Sequence, residues 1–463
     1  MTAPQIPNLF KVPELKEKIL FTLLCLLIYR LGAHIATPGV NVQALADFLK
    51  NAGQGTLFSL YDLFAGGGFS RATVFALGIM PYISASIVFQ LAAPVFPVVE
   101  KMQRDEEGRK TLTQWTRYLT VLLCLFQSYG YALFAEQLPG AVAHPGWAFR
   151  LTTVLTLSTG GVFIMWLGEQ ITERGVGNGM SLLIFAGIVV GLPRGVADLV
   201  EKVKTSAWGS FTAPAMIILI ALMIAVVGFI VYVERSERRI PVQYAKRVVG
   251  RKVMGGQSTH LPLRVNAGGV MPVIFASSIL TFPQTAGFFL RDNRYFGPLL
   301  RALAWGEPLY TLLYAIGIIF FAYFYVSIVF SPAKVADDMR KYGGFIPGIR
   351  PGVRTREYIN EILTRITLVG ALYLIVISFI PEWMIAGIHL NHLPGVVGSF
   401  FDRFPAWFTN GLGVNFYFGG TSLLIVVGVA MDTVQQIEAQ LIMRHYEGFT
   451  PRSGRIRGRR TWA

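Results

Sequence analysis

The sequence predicts an all-α polytopic membrane protein with about ten transmembrane helices. Three observations carry that reading. The 463 residues are 53% hydrophobic and only 14% charged, where a soluble domain typically carries about 25% charged residues. Mean hydropathy is +0.52, and apolar runs of roughly 18 to 25 residues, the length that crosses a bilayer, recur along the chain. Lysine and arginine gather in alternate connections between those runs. No polar stretch is long enough to bury a core of its own, so the bulk of the chain is one membrane domain.

In order, the apolar runs fall at about Ile19–Ile35, Ala72–Val98, Tyr118–Leu138, Leu151–Gly168, Met180–Leu199, Ala213–Val233, Gly268–Leu290, Leu309–Phe330, Ile362–Ile380 and Phe418–Ile442. Pro4, Pro7 and Pro13 precede the first run. They do not resemble the start of a cleaved signal peptide, so that run is expected to remain. An even number of spans puts both termini on one side. Ten can divide into two halves of five, at 19–199 and 200–442, and an odd number per half gives halves of opposite topology. No strong similarity joins the two halves.

Net charge is +15. The basic residues include Lys11, Lys16 and Lys18 in the leading segment 1–18, and Lys101, Arg104, Arg109 and Lys110 after the second run. They continue in two large loops at about 234–264 and 332–361, and in the tail 443–463. A ten-span count places all these segments on the same side, and the excess of Lys and Arg makes that side cytoplasmic.

The two large loops are the most informative polar segments. In the first, ERSERRIPVQYAKR mixes arginines with Ile, Val and Tyr at near-alternating spacing, which predicts a hairpin. In the second, Pro351-Gly352 fits the central pair of a type II turn, and Pro347-Gly348 marks another turn. Arg350, ahead of Pro351, is pushed to extended geometry. Two turns flanking one arginine can hold it at a protruding tip, a suitable finger for a large anionic or acidic partner; the alternative is a solvated basic loop. Basic residues interleaved with apolar ones in the first loop suit RNA or an acidic protein equally.

Signals for chemistry are sparse. Cys25 and Cys124 both lie in apolar runs, without metal spacing or a disulfide framework. There is no HExxH, no nucleophile-elbow GxSxG and no P-loop. The GVGNG at Gly175 joins two apolar runs and reads as a tight turn. Charges in or bordering the runs, among them Arg30, Glu169, Asp432 and Glu438, lie near their ends, where snorkelling or an interfacial pair explains them. A coupled solute transporter with inverted repeats, the rival architecture, should instead show convergent charge at midplane.

One stretch suggests that the spans enclose something. Phe75–Gln90 is uncharged and places Ile79, Ile83 and Ile87 four apart, one face of a helix. Ahead of it, Leu57–Ala65 is too short to span and is closed by Gly66-Gly67-Gly68.

The ordered segments AGGGFSRATVFALGIMPYISASIVFQL, WLGEQITERGVGNGMSLLIFAGIV, ERSERRIPVQYAKR, QSTHLPLRVN, IFASSIL, FIPGIRPG and YFGGTSLLIVV resemble the SecY family of protein-translocation channels across nearly the whole chain. The resemblance implies two inverted five-helix halves forming a clam shell around an hourglass pore. It implies passage of unfolded secretory polypeptides, and release of signal sequences or membrane segments sideways into lipid. It assigns a plug at about 57–68 (Leu57, Phe58, Leu60, Tyr61, Leu63, Phe64). It assigns a pore ring of Ile79, Ile83, Ile184, Ile274 and Ile425, with Ala286 where the family often has a sixth isoleucine. A lateral gate would use Ser84 and Ile87 on one side, Ser277 and Phe282 on the other. Arg239, Arg251 and Arg350 would dock partners: the motor ATPase SecA, and the ribosome through its RNA and proteins at the nascent-chain exit. The small membrane subunits SecE and SecG, secretory preproteins with their signal sequences, and membrane lipid complete the implied partners. The implied location is the bacterial cytoplasmic (inner) membrane with both termini cytoplasmic. No cofactor is implied, and energy would come from a partner ATPase or the ribosome. The segment 381–416 is longer than the family pattern.

Overall fold

The computed structural model describes residues 13–51, 62, 65–204, 212–244, 247–249, 252–254, 258–290, 302–303, 307–386 and 420–447. Every predicted span has a helix at its place. They are α1 (Pro13–Gly32), α3 (Met80–Val95), α5 (Glu106–Gln137), α6 (Trp147–Arg174), α7 (Gly179–Lys204), α8 (Thr212–Glu234), α9 (Met271–Leu290), α10 (Pro308–Val329), α12 (Val353–Ala386) and α13 (Gly420–Glu447). Three shorter helices are α2 (Val42–Asn51), α4 (Pro97–Arg104) and α11 (Pro332–Lys341). Among the described residues six helices are long and apolar enough to cross a membrane, or seven if the bent pair α3–α4 counts as one span.

The second span is the main departure from the sequence reading. Residues 65–79 are a chain of turns, and helix begins only at Met80. The backbone is held elsewhere: Thr37 N–H donates to Ala72 O at 2.7 Å, and Val74 N–H donates to Ile35 O at 2.9 Å. That isolated bridge takes Ala72–Val74 out of helical geometry, and Ala72 takes φ +48°. Ile79 is thus the N-cap of α3 rather than part of the helical face shared by Ile83 and Ile87. Pro81, at the start of α3, costs nothing there because its missing N–H has no helical partner anyway. At the other end α3 and α4 meet at Phe96 with a bend of 112°. Pro97 ends the first helix by forcing the residue before it to extended geometry.

Glycine makes the packing of this turn-rich stretch possible. A Cβ on Gly160 of α6 would lie 2.0 Å from Val74 O. Gly66, at φ +64°, faces Gly187 of α7, with a Cβ on Gly66 placed 2.9 Å from the Gly187 Cα. Gly160→Val is expected to destabilise the fold by about 1–3 kcal/mol, since overpacking displaces backbone and not a flexible side chain. Thermal unfolding in detergent checks it, and an unchanged midpoint would contradict the close approach.

The helices pack in two runs. α3, α5, α6 and α7 pack in succession, with α1 against α6; α9, α10, α12 and α13 form the second run. α9 bridges the two by packing on α3 and α5, and α13 by packing on α7. A single apolar core extends through both runs and contains Tyr29, Phe75, Ile164, Ile188, Ile318 and Leu374. Large exposed apolar side chains such as Leu23, Leu27, Leu155, Ile224, Phe320 and Val369 cover the outside, as lipid-facing helices require.

The expected hairpin is present, and it acquires a third strand. β1 (Glu237–Tyr244) pairs antiparallel with β4 (Ser258–Arg264), and β2 (Arg247–Val249) with β3 (Lys252–Met254) toward the tip. The two-residue strand β5 (Gly344–Phe345), from the second large loop, pairs with the other edge of β1. Ile240 and Val242 alternate inward on β1. Ile240 joins Leu263, Ile346 and Ile359 in a small separate core. The two polar loops are therefore one structural unit.

Candidate functional site: a polar vestibule over buried isoleucines

A cavity of about 360 Å³ opens between α3, α5, α6, α7, α9 and α10. It lies at the end of the bundle where β4 turns into α9, since Met271, the first residue of α9, lines it. Its apolar lining includes Ile83, Ile184, Ile274, Met180 and Phe275. Its polar lining includes Ser86, Gln90, Arg117, Glu169, Glu173 and Asn178.

Three of the isoleucines singled out in the sequence thus meet at one cavity, from three different helices. All five proposed ring positions are buried in the common core: Ile79, Ile83, Ile184 and Ile274 almost completely, Ile425 at 0% exposure. Ala286 lies within α9, where the side chain is outside the described residues. Leu57, Phe58, Leu60, Tyr61, Leu63 and Phe64 lie outside the described residues. The segment that follows them is well tied. Gly67 N–H donates to Asp62 O and Ser70 N–H to Asp62 Oδ1, both at 2.8 Å.

α3 and α9, the helices carrying the proposed gate residues, pack directly on each other. On α3, Ile87 is buried and Ser84 half-buried. On α9, Ser277 is buried and donates to Ile274 O at 2.9 Å; the Phe282 side chain is outside the described residues.

The polar wall was only half visible in the sequence. Glu169 on α6 accepts from Arg117 Nε on α5 at 2.9 Å. In the sequence Glu169 is a span-end charge, and Arg117, one residue ahead of the apolar run at Tyr118, carries no signal of its own. Asp432, another of the charges near span ends, also finds a partner. Arg264 lies 3.8 Å from Asp432 and hydrogen-bonds Gln435 on α13. Asn266 donates to Glu234 Oε1 at 2.7 Å and to Gly269 O at 3.0 Å, pinning the turn that leads into α9.

On the loops, Arg350 is exposed between turns whose glycines take positive φ, Gly348 at +82° and Gly352 at +105°. These are the values a type II turn demands at its third residue. Its carbonyl accepts from Thr355 Oγ1 at 2.9 Å, which fixes the tip. Arg239 is exposed and paired with Glu237 on the same strand at 2.6 Å, a partner not foreseen from sequence. An exposed pair of this kind contributes about 0–1 kcal/mol, so a stronger anion can displace Glu237. Arg251 lies outside the described residues.

Fold and site together describe a helical membrane protein in which isoleucines from several helices are buried beside a polar-walled cavity. The SecY family model matches residues 73–434. Protein translocase subunit SecY of Escherichia coli (strain K12) is 45% identical over 441 residues, covering 94% of this chain and 93% of that protein. The Thermotoga maritima subunit of the same name is 41% identical over 98% of this chain and 99% of its own length. The solved structure of a protein-conducting channel superposes with TM-score 0.64 at 18% identity over 97% of this chain and 100% of that one. Sec61 in the canine ribosome–channel complex from the endoplasmic reticulum superposes with TM-score 0.60 at 18% identity, with the same coverage. The chain belongs to the SecY family. It is a protein-conducting channel subunit, and the solute-transporter alternative is not favoured.

Proposed function

We propose that this channel passes unfolded secretory polypeptides between two halves, at 19–199 and 200–442, and seals itself with isoleucine. The observation that carries the proposal is the convergence of Ile83, Ile184 and Ile274, from α3, α7 and α9, on one cavity. Ile79 and Ile425, buried in the same core, complete the ring, with Ala286 at the sixth place. Branched apolar side chains offer an ion no replacement for its hydration shell, and water leaves such a constriction readily. A polypeptide can slide past, because the ring makes no specific polar contact. The segment of Leu57, Phe58, Leu60, Tyr61, Leu63 and Phe64 acts as the plug.

Release into lipid occurs between α3 and α9, past Ser84, Ile87, Ser277 and Phe282. An apolar signal segment partitions there because the bilayer stabilises it more than the vestibule does. The protein sits in the bacterial inner membrane with both termini cytoplasmic, as the distribution of Lys and Arg supports. Arg239, Arg251 and Arg350 dock the motor ATPase SecA and the ribosome. The likeness to Sec61 in a ribosome–channel complex supports the second partner. The chain carries no P-loop, so the energy comes from these partners. SecE and SecG are the small subunits expected beside it.

Mild-detergent purification of the tagged chain from its own membranes tests the assembly. SecE is expected to co-purify at a constant ratio. A stable chain that never retains a small membrane partner would contradict it.

A further inference from the structure

The vestibule has a charge distribution that the seal does not require. Its ionisable acid and base residues are Arg117, Glu169 and Glu173, two acids against one base. Arg117 is committed to Glu169 at 2.9 Å. Glu173 is exposed and makes no ion pair within 4.0 Å among the described residues. Glu169 and Glu173 are also four apart on α6, a like-charge spacing that costs a helix about 0.2–0.5 kcal/mol. Arg117 lies close enough to act on Glu173 through space as well, but its ion pair is with Glu169, and Glu173 stays exposed on the lining of the cavity. Beyond it lies an apolar floor of Ile83, Ile184 and Ile274 leading to the α3–α9 seam.

An acidic mouth over an apolar floor matches one kind of peptide: a basic group followed directly by an apolar run. Secretory signal peptides have that order, with a positively charged n-region ahead of an apolar h-region. We propose that Glu173 is a specificity-determining contact for the Lys or Arg side chains of the client's n-region. It holds the basic end at the mouth while the h-region reaches the seam. Arg117 limits the site to one negative charge, so the contact is weak and reversible. The inference rests on the channel reading above.

The test is a charge swap in proteoliposomes holding the complete translocase. Two reporter preproteins differ only in a basic or an acidic n-region, and each is assayed with Glu173, E173Q and E173K. E173K is expected to slow the basic reporter by about fivefold, the range of an exposed charge contact, and to improve the acidic one. E173Q, which keeps the side-chain shape, should give an intermediate loss. Equal effects on both reporters, or none, would overturn the n-region contact. The unaltered protein is the separate control: if it translocates neither reporter, the channel reading itself fails.

Discussion

Replacing Ile83 and Ile184 together by glycine is expected to let the resting channel conduct small ions. Both side chains are almost fully buried, on α3 and α7, at the floor of the same cavity. Glycine removes eight side-chain carbons in all and leaves only backbone at those positions. Water can then remain in the constriction, and an ion no longer loses its whole hydration shell. A barrier lowered by as little as ~1.4 kcal/mol raises the conductance about tenfold. Planar-bilayer recordings without a translocating client measure this directly. A resting conductance equal to that of the unaltered protein would eliminate isoleucine as the seal. Ile425→Gly alone should have the same sign and a smaller effect, because one gap in a ring is partly filled by its neighbours.

Arg350→Glu is expected to abolish secretion while leaving the protein folded and inserted. The side chain is exposed, and the turn geometry belongs to Gly348, Gly352 and the Thr355 hydrogen bond to the Arg350 carbonyl, none of which the substitution touches. An exposed change of this kind alters stability by no more than about 0.5 kcal/mol. Loss and reversal of a contact charge together weaken docking by about tenfold or more per 1.4 kcal/mol. Reporter secretion, measured beside membrane abundance, separates the two effects. Normal secretion would remove Arg350 from the docking surface; a loss matched by lower abundance would make it a folding residue.

The helical spans were legible because hydropathy reports burial in lipid directly. Their ends were not. α5 begins at Glu106, twelve residues before the apolar run at Tyr118, and α12 at Val353, nine before Ile362. Those extra turns are polar, outside the hydrocarbon, and hydropathy has no power over them. Ala72–Ile79 fails for the opposite reason. It is apolar enough to be a span, but two of its backbone hydrogen bonds go to Ile35 and Thr37 and the rest close local turns, and pairing between distant segments leaves no periodic trace. The same holds for β5, two residues long and paired with β1 across roughly a hundred positions, a contact that needs no sequence signature. At the site, apolar spacing alone left Ile83 ambiguous between packing and pore. The motif resemblance named Ile184 and Ile274 as its companions, and the cavity brings the three together. The Arg117–Glu169 pair escaped because its two halves lie on separate helices.

The layer of Ile83, Ile184 and Ile274 contains no charge, whereas Arg350 and Arg239 present theirs to solvent. Ionic strength therefore acts on one and not on the other. Raising salt to about 1 M shrinks the screening length to ~3 Å and detaches partners held by exposed arginines. Contact among branched hydrocarbons is unaffected or slightly strengthened by such a wash when the salt is a kosmotrope. Under the proposed docking and sealing roles, a membrane stripped in this way is expected to lose its engines and keep its permeability barrier, closure then depending on nothing bound outside.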